Sequence, residues 1–195
     1  MRMLKVLGLL VAGVVLSIGC SKGDSEPEPG ASQGNEAPPA PLTGTVPMTK
    51  LSDGQIAEIL TTVDSGEIEQ AQVALKRATN PEIRAFATHM VEQHTASRNA
   101  RSQLASQTGL RPAGSPKAKE LESVSAQAIE RLNMAEDANF DITYLDGQIE
   151  QHAAVLKLIE DQLVPAVNDP ALRDHLNEAR AMVQQHLDQA RQIQK

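Results

Sequence analysis

Three histidines stand in near-copies of one five-residue pattern: Met90-Val91-Glu92-Gln93-His94, Gln148-Ile149-Glu150-Gln151-His152 and Met182-Val183-Gln184-Gln185-His186. Each falls on the apolar stripe of a segment with helical periodicity, and Glu67 takes the same place on an earlier stripe. An ionisable group on a core stripe is expensive unless it is paired. Two chemistries answer that requirement. One is a hydrogen-bonded polar layer, with Glu67 accepting from imidazoles, that fixes the register of the helices. The other is a site for one transition metal (Zn, Fe, Mn or Cu) held by Glu67, His94, His152 and His186. Met90 and Met182, one turn before their histidines, admit a softer copper variant, although Met on such a stripe is ordinarily core packing. A dinuclear carboxylate centre is disfavoured, because it needs Glu-x-x-His motifs and the chain has none. Asp141, Tyr144 and Gln148 share a neighbouring stripe with His152 and are expected either to orient it or to serve as a helix start and packing. Glu92 and Glu150 precede their histidines by two positions, about 200° around a helix, so they face away. His89 and His175 are expected to be largely solvated.

These side chains meet only if the helices bring them to one level. Ser52 or Asp53 can start a first helix reaching about Ala78, and Asn80-Pro81 opens a second that Gly109 stops. Ser115-Pro116 opens a shorter one to about Met134. Asn139 or Asp141 starts another to about Val164, and Asp169-Pro170 opens the last. On the fourth segment the heptad stripe runs Ile142, Leu145, Ile149, His152, Leu156, Ile159, Leu163. At ~1.5 Å per residue, Glu67 and His94 both lie roughly 20 Å from the turn near residue 80. His152 is near mid-helix, and His186 falls within roughly 8 Å of that level. The pattern predicts an all-α fold: a ferritin-like up-down four-helix bundle, with the shorter helix in the crossover between helices 2 and 3.

The composition agrees. Apolar residues make up 41% of the 195 residues but aromatics only 2%, so the core must be aliphatic and suited to close helix packing. A net charge of −7 disfavours nucleic-acid partners. No Gly-rich phosphate loop or Ser/His/Asp arrangement is present, so no catalytic residue is assigned. The single cysteine, Cys20, cannot form an intramolecular disulfide, and its position explains it better. Arg2 and Lys5 precede an apolar run, Val6 to Ile18, too short for the ~20 residues a membrane-spanning helix needs. Leu16-Ser17-Ile18-Gly19-Cys20 resembles the bacterial lipobox, with Ser17 where Leu most often stands, and the competing reading is a plain secretory signal. Residues 1–19 are therefore expected to be a signal peptide and Cys20 an acylated membrane anchor. Residues 21–49, with six of the eleven prolines, follow as a tether, and 50–195 as the helical domain. Ser21 resembles the outer-membrane sorting class, which implies the periplasmic side of that membrane.

Gly66-Glu67-Ile68-Glu69, the run Ala78-Thr79-Asn80-Pro81-Glu82-Ile83-Arg84-Ala85-Phe86-Ala87 and Met90 to His94 resemble the bacterial domain of unknown function 4142 family. Phe140-Asp141, Tyr144-Leu145, His152 and His186-Leu187 fit it too, so the likeness covers about residues 50 to 193. It implies a ferritin-like helical bundle in an exported or outer-membrane protein, with His94, Asp141, His152 and His186 as pattern positions. It implies no activity. Glu92 departs from the Asp expected there.

Overall fold

The computed structural model describes residues 50–195; the expected signal peptide, Cys20 and the tether to residue 49 lie outside the described residues. Within them every element is helical: α1 Asp53–Arg77, α2 Pro81–Thr108, α3 Pro116–Met134, α4 Asp137–Leu158 and α6 Pro170–Ile193. Between the last two, a π-helical turn Ile159–Leu163 leads into the single-turn α5 Val164–Ala166. The π turn ends two residues before Pro165, whose missing N–H interrupts the ordinary i→i−4 ladder.

Helix starts follow their capping chemistry. Ser52 and Gln55 form a reciprocal capping box on α1, and Asn80, Ser115 and Asp169 each accept from a first-turn N–H of α2, α3 and α6. Gly109 ends α2 with φ 74°, the left-handed conformation glycine tolerates. α4 departs from expectation. It begins at Asp137, behind a Glu136 that makes no side-chain cap. Asp141 does not start the helix; its carboxylate instead accepts from the Thr79 N–H (3.1 Å), the Thr79 hydroxyl (2.7 Å) and the Asn80 N–H (2.9 Å). Asp141 thus ties α4 to the α1–α2 turn. Ile142, expected in the core, is 56% exposed. The face that turns inward carries Phe140, Tyr144, Gln148 and His152 in four-residue steps, so the two aromatics displace Ile142 from the interior.

Cross-helix contacts set the directions. Asp64 with His94 and Thr61 with Arg101 make α2 antiparallel to α1. Ser125 packs on Gly66, and Arg77 donates to the carbonyls of Leu132 and Ala135, so α3 runs parallel to α1. Gln70 meets Gln151 while Arg77 pairs with Asp137, which makes α4 antiparallel to α1. Arg180 with Glu160, and Gln194 with Asp146, make α6 antiparallel to α4. The chain therefore runs back along its own length through α3, and α2 and α4 are parallel.

Two apolar clusters fill the interior. One gathers Ile56, Ile59, Leu60, Ile159, Leu163, Leu172 and Leu176, and the other Ala71, Ile83, Phe86, Met90, Phe140 and Tyr144. Glu67, Gln70, His94, Gln148, His152 and His186 are buried polar residues that belong to neither cluster. No described helix is long and apolar enough to cross a membrane.

Candidate metal centre

His94 from α2, His152 from α4 and His186 from α6 come together at 1%, 2% and 0% exposure. Ring centroids are 5.2 Å apart for His94 and His186, 5.4 Å for His152 and His186, and 6.0 Å for His94 and His152. One nitrogen from each ring lies within 4.8 Å of the other two.

Each imidazole has one nitrogen anchored to an oxygen. His94 Nδ1–H donates to Asp64 Oδ1 at 2.9 Å, His152 Nδ1–H to the Gln148 carbonyl at 2.9 Å, and His186 Nε2–H to Gln93 Oε1 at 2.8 Å. The Gln93 amide is itself oriented by donating to His89 Nε2 at 2.6 Å. His94 Nε2, His152 Nε2 and His186 Nδ1 have no partner. On a neutral ring whose proton is held on the anchored nitrogen, the free nitrogen carries the lone pair.

Electrostatics keep two of the rings neutral. Burial, reinforced by the neighbouring imidazoles of His94, His152 and His89, pushes His186 down to about 2. Burial also lowers His152, with His94 adding to the effect; Glu67 and the Gln148 carbonyl only partly oppose it. Neutral imidazole is the form that ligates metals.

Behind His94 lies a chain of buried polar groups. Asp64 Oδ2 accepts from Arg101 at 2.7 Å, and Arg101 donates in turn to His175 Nε2 at 3.2 Å. Burial works to raise the Asp64 carboxyl, but the His94 hydrogen bond and the Arg101 charge more than offset it and hold it below 3.8. A carboxylate behind a ligand imidazole fixes the ring's orientation and raises its basicity. His175, expected to be solvated, is buried, because the Arg101 guanidinium fills the space beside it. Burial, then Arg101, lowers its pKa.

The remaining expected residues divide. Glu67 is 3% exposed with Oε2 unpartnered; it acts through its charge on His152 and Tyr144 but is not part of the 4.8 Å set. The Tyr144 hydroxyl and Gln148 Oε1 are buried and unpartnered, and burial, with Glu67, pushes Tyr144 well above 10. Asp141 is bound at the α1–α2 turn, away from the imidazoles. Glu92 and Glu150 are exposed, as their spacing implies. Asp64, Arg101 and Gln93 are functional neighbours that the stripes alone did not single out. Arg101 nevertheless stands seven residues after His94, and Asp64 three before Glu67, so both continue the stripes already traced.

An all-helical protein with three histidines converging in its interior is what fold and site define. The chain belongs to the family described as Domain of unknown function (DUF4142), whose model matches residues 37–193. No curated protein and no solved structure matches it.

Proposed function

We propose that this protein binds one transition-metal ion through His94, His152 and His186, in a ferritin-like arrangement of α1, α2, α4 and α6 with α3 as the crossover. The carrying observation is the convergence within 4.8 Å of three imidazoles, each with its second nitrogen anchored to an oxygen. The balance of donors and acceptors favours an ion over a self-sufficient polar layer. Among the unpartnered buried atoms, His152 Nε2, His186 Nδ1 and Gln148 Oε1 accept, and the hydroxyls of Tyr144, Ser97 and Ser125, which could bring protons, pair with none of them. A layer that fixed register by itself would pair donors with acceptors, since each buried orphan costs about 1–3 kcal/mol. A cation satisfies several acceptors at once. Imidazole donors suit Zn, Cu or Fe better than Mn, which prefers oxygen. When bound, such an ion supplies a Lewis-acid or redox centre. The Asp64 carboxylate holds His94 in the ligating tautomer, and Glu67 stands beside the imidazoles as a nearby carboxyl.

Metal analysis of protein purified without a polyhistidine tag tests this reading. About one equivalent is expected, falling below about a tenth in His152→Ala or His186→Ala, with melting raised by the bound ion. Less than a tenth of an equivalent in the parent chain, with melting unchanged on adding Zn, Cu, Fe or Mn, would sink it.

We infer that the protein works in the cell envelope, anchored through acylated Cys20 at the periplasmic face of the outer membrane. The basic start, the short apolar run, the small residue before Cys20 and the proline-rich stretch after it support this. Cys20→Ser should accumulate a larger precursor or release the protein from membranes; normal processing and retention would overturn the assignment.

A further inference from the structure

The three imidazoles are anchored by acceptors of different kinds. Behind His94 stands the Asp64 carboxylate and behind His152 the Gln148 carbonyl, groups that only accept, so both rings keep a proton on Nδ1 and leave Nε2 free. His186 is reversed: its anchored nitrogen is Nε2, 2.8 Å from Gln93 Oε1, and Nδ1 is the one without a partner. Its anchor is also a different group. A side-chain amide carries an acceptor on one arm and donors on the other, so turned over it would present an N–H to His186 Nε2. That nitrogen would then have to accept, the ring proton would sit on Nδ1, and His186 would lose the lone pair it shares with the centre. Nothing in Gln93 itself prevents the turn. His89, one helical turn earlier, does. Its Nε2 lies 2.6 Å from the Gln93 amide nitrogen, its Nδ1–H is given to Gln189 Oε1 at 3.3 Å, and its ring stands edge-on to His186 with centroids 5.7 Å apart. A neutral ring that donates through Nδ1 can only accept at Nε2, so the amide donates outward and keeps its carbonyl on His186.

We propose that His89, half-buried and outside the set of ligands, selects the nitrogen through which His186 ligates, acting through Gln93. It is a positioning residue: its effect reaches the centre as the direction of two hydrogen bonds. The consequence for affinity rests on the metal-ion reading. The choice of tautomer does not, because the same bonds run through the metal-free protein. The coupling is reciprocal, since an ion on His186 Nδ1 holds the Gln93 carbonyl inward and so holds His89 as the acceptor. Only one tautomer can take the ion, so apparent affinity scales with the fraction of molecules that carry it.

Nitrogen-15 spectra of the histidine rings in metal-free protein, with His186 assigned by the signals lost in His186→Ala, test the selection. The parent chain is expected to carry the His186 proton on Nε2 and leave Nδ1 bare. His89→Lys places a group that only donates beside Gln93; the amide should turn over and the His186 proton move to Nδ1. Zinc affinity, read by competition with a chromophoric chelator, should fall roughly tenfold or more. Adding Gln93→Glu restores an anchor that only accepts. The double variant should therefore return the proton to Nε2 and bring zinc affinity to within about threefold of the parent. A purely structural role for His89 would change melting and leave the His186 tautomer where it was. That result, a parent chain protonated on Nδ1, or a double variant still protonated there would each overturn the proposal. Should His89→Lys not fold, His89→Leu decides: it frees the amide, so both tautomers are expected in place of one, and an unchanged single tautomer counts against the selection. A tautomer that follows residue 89 in a chain that takes up no zinc refutes the ion and keeps the selection; zinc uptake with a tautomer indifferent to residue 89 does the reverse.

Discussion

At the scale of single residues, the centre depends on what stands behind each imidazole. Asp64 is the clearest case: it meets His94 with one oxygen and Arg101 with the other, both at hydrogen-bond distance. Asp64→Asn keeps the shape but removes the charge. Metal affinity is expected to fall about 10–100-fold, read by competition with a chromophoric chelator; an unchanged affinity would show that His94 needs no carboxylate. The three histidines were legible because each stands on a stripe that is otherwise apolar. Asp64 and Arg101 were harder to find because a charge on a helix reads as solvated until its partner on another helix is known. That pairing depends on how α1 and α2 are rotated about their axes, which spacing along one chain does not encode. His175 illustrates the same point, since only the Arg101 side chain explains its burial.

At the scale of elements, the capping residues carried most of the legible information. Ser52, Asn80, Ser115 and Asp169 each make the bond their type and position imply, so four helix starts were readable to within a residue or two. The start of α4 was not, because Glu136 makes no cap and Asp141, the better capping type, is engaged by a different helix junction. The stripe of α4 was misplaced for a related reason: Phe140 and Tyr144 outweigh Ile142 in buried area and rotate the helix toward themselves. These observations separate Asp141 from the metal centre. Asp141→Ala should lower stability to denaturant by about 1–2 kcal/mol, through the loss of its bonds to Thr79 and Asn80. Bound metal should not change; a loss of metal would place Asp141 in the centre after all.

At the scale of the whole molecule, the buried histidines make stability depend on acidity. His152, His175 and His186 all have pKa values lowered from 6.5 by burial, so the unfolded chain takes up their protons before the folded one does. Their contribution is full above about pH 6.5 and is lost as the pH falls below it. Asp64 and Asp141, both held below 3.8, act in the same sense at lower pH, their contribution being present above 3.8 and lost as the carboxyls protonate. For the metal-free chain, each histidine weakens the fold by up to about 1.4 kcal/mol per pH unit below that point. Between pH 7.5 and 5.5 His186 alone should lower the melting temperature by about 3–6 °C, with His152 and His175 adding in the same direction. A flat profile over that range would mean these rings are not held neutral.

The return of the chain through α3 has one more consequence. His94 belongs to the first antiparallel pair, α1 and α2, while His152 and His186 belong to the later pair, α4 and α6. Only one stretch of backbone joins the two halves, and at residues 111–114 it is exposed. An ion shared by the three rings would act as a clasp, turning an open chain into closed loops at 94–152 and 152–186 and removing freedom from the unfolded state. The two halves also share both apolar clusters, so a molecule nicked in that exposed stretch should stay associated and melt at a lower temperature once the metal is stripped.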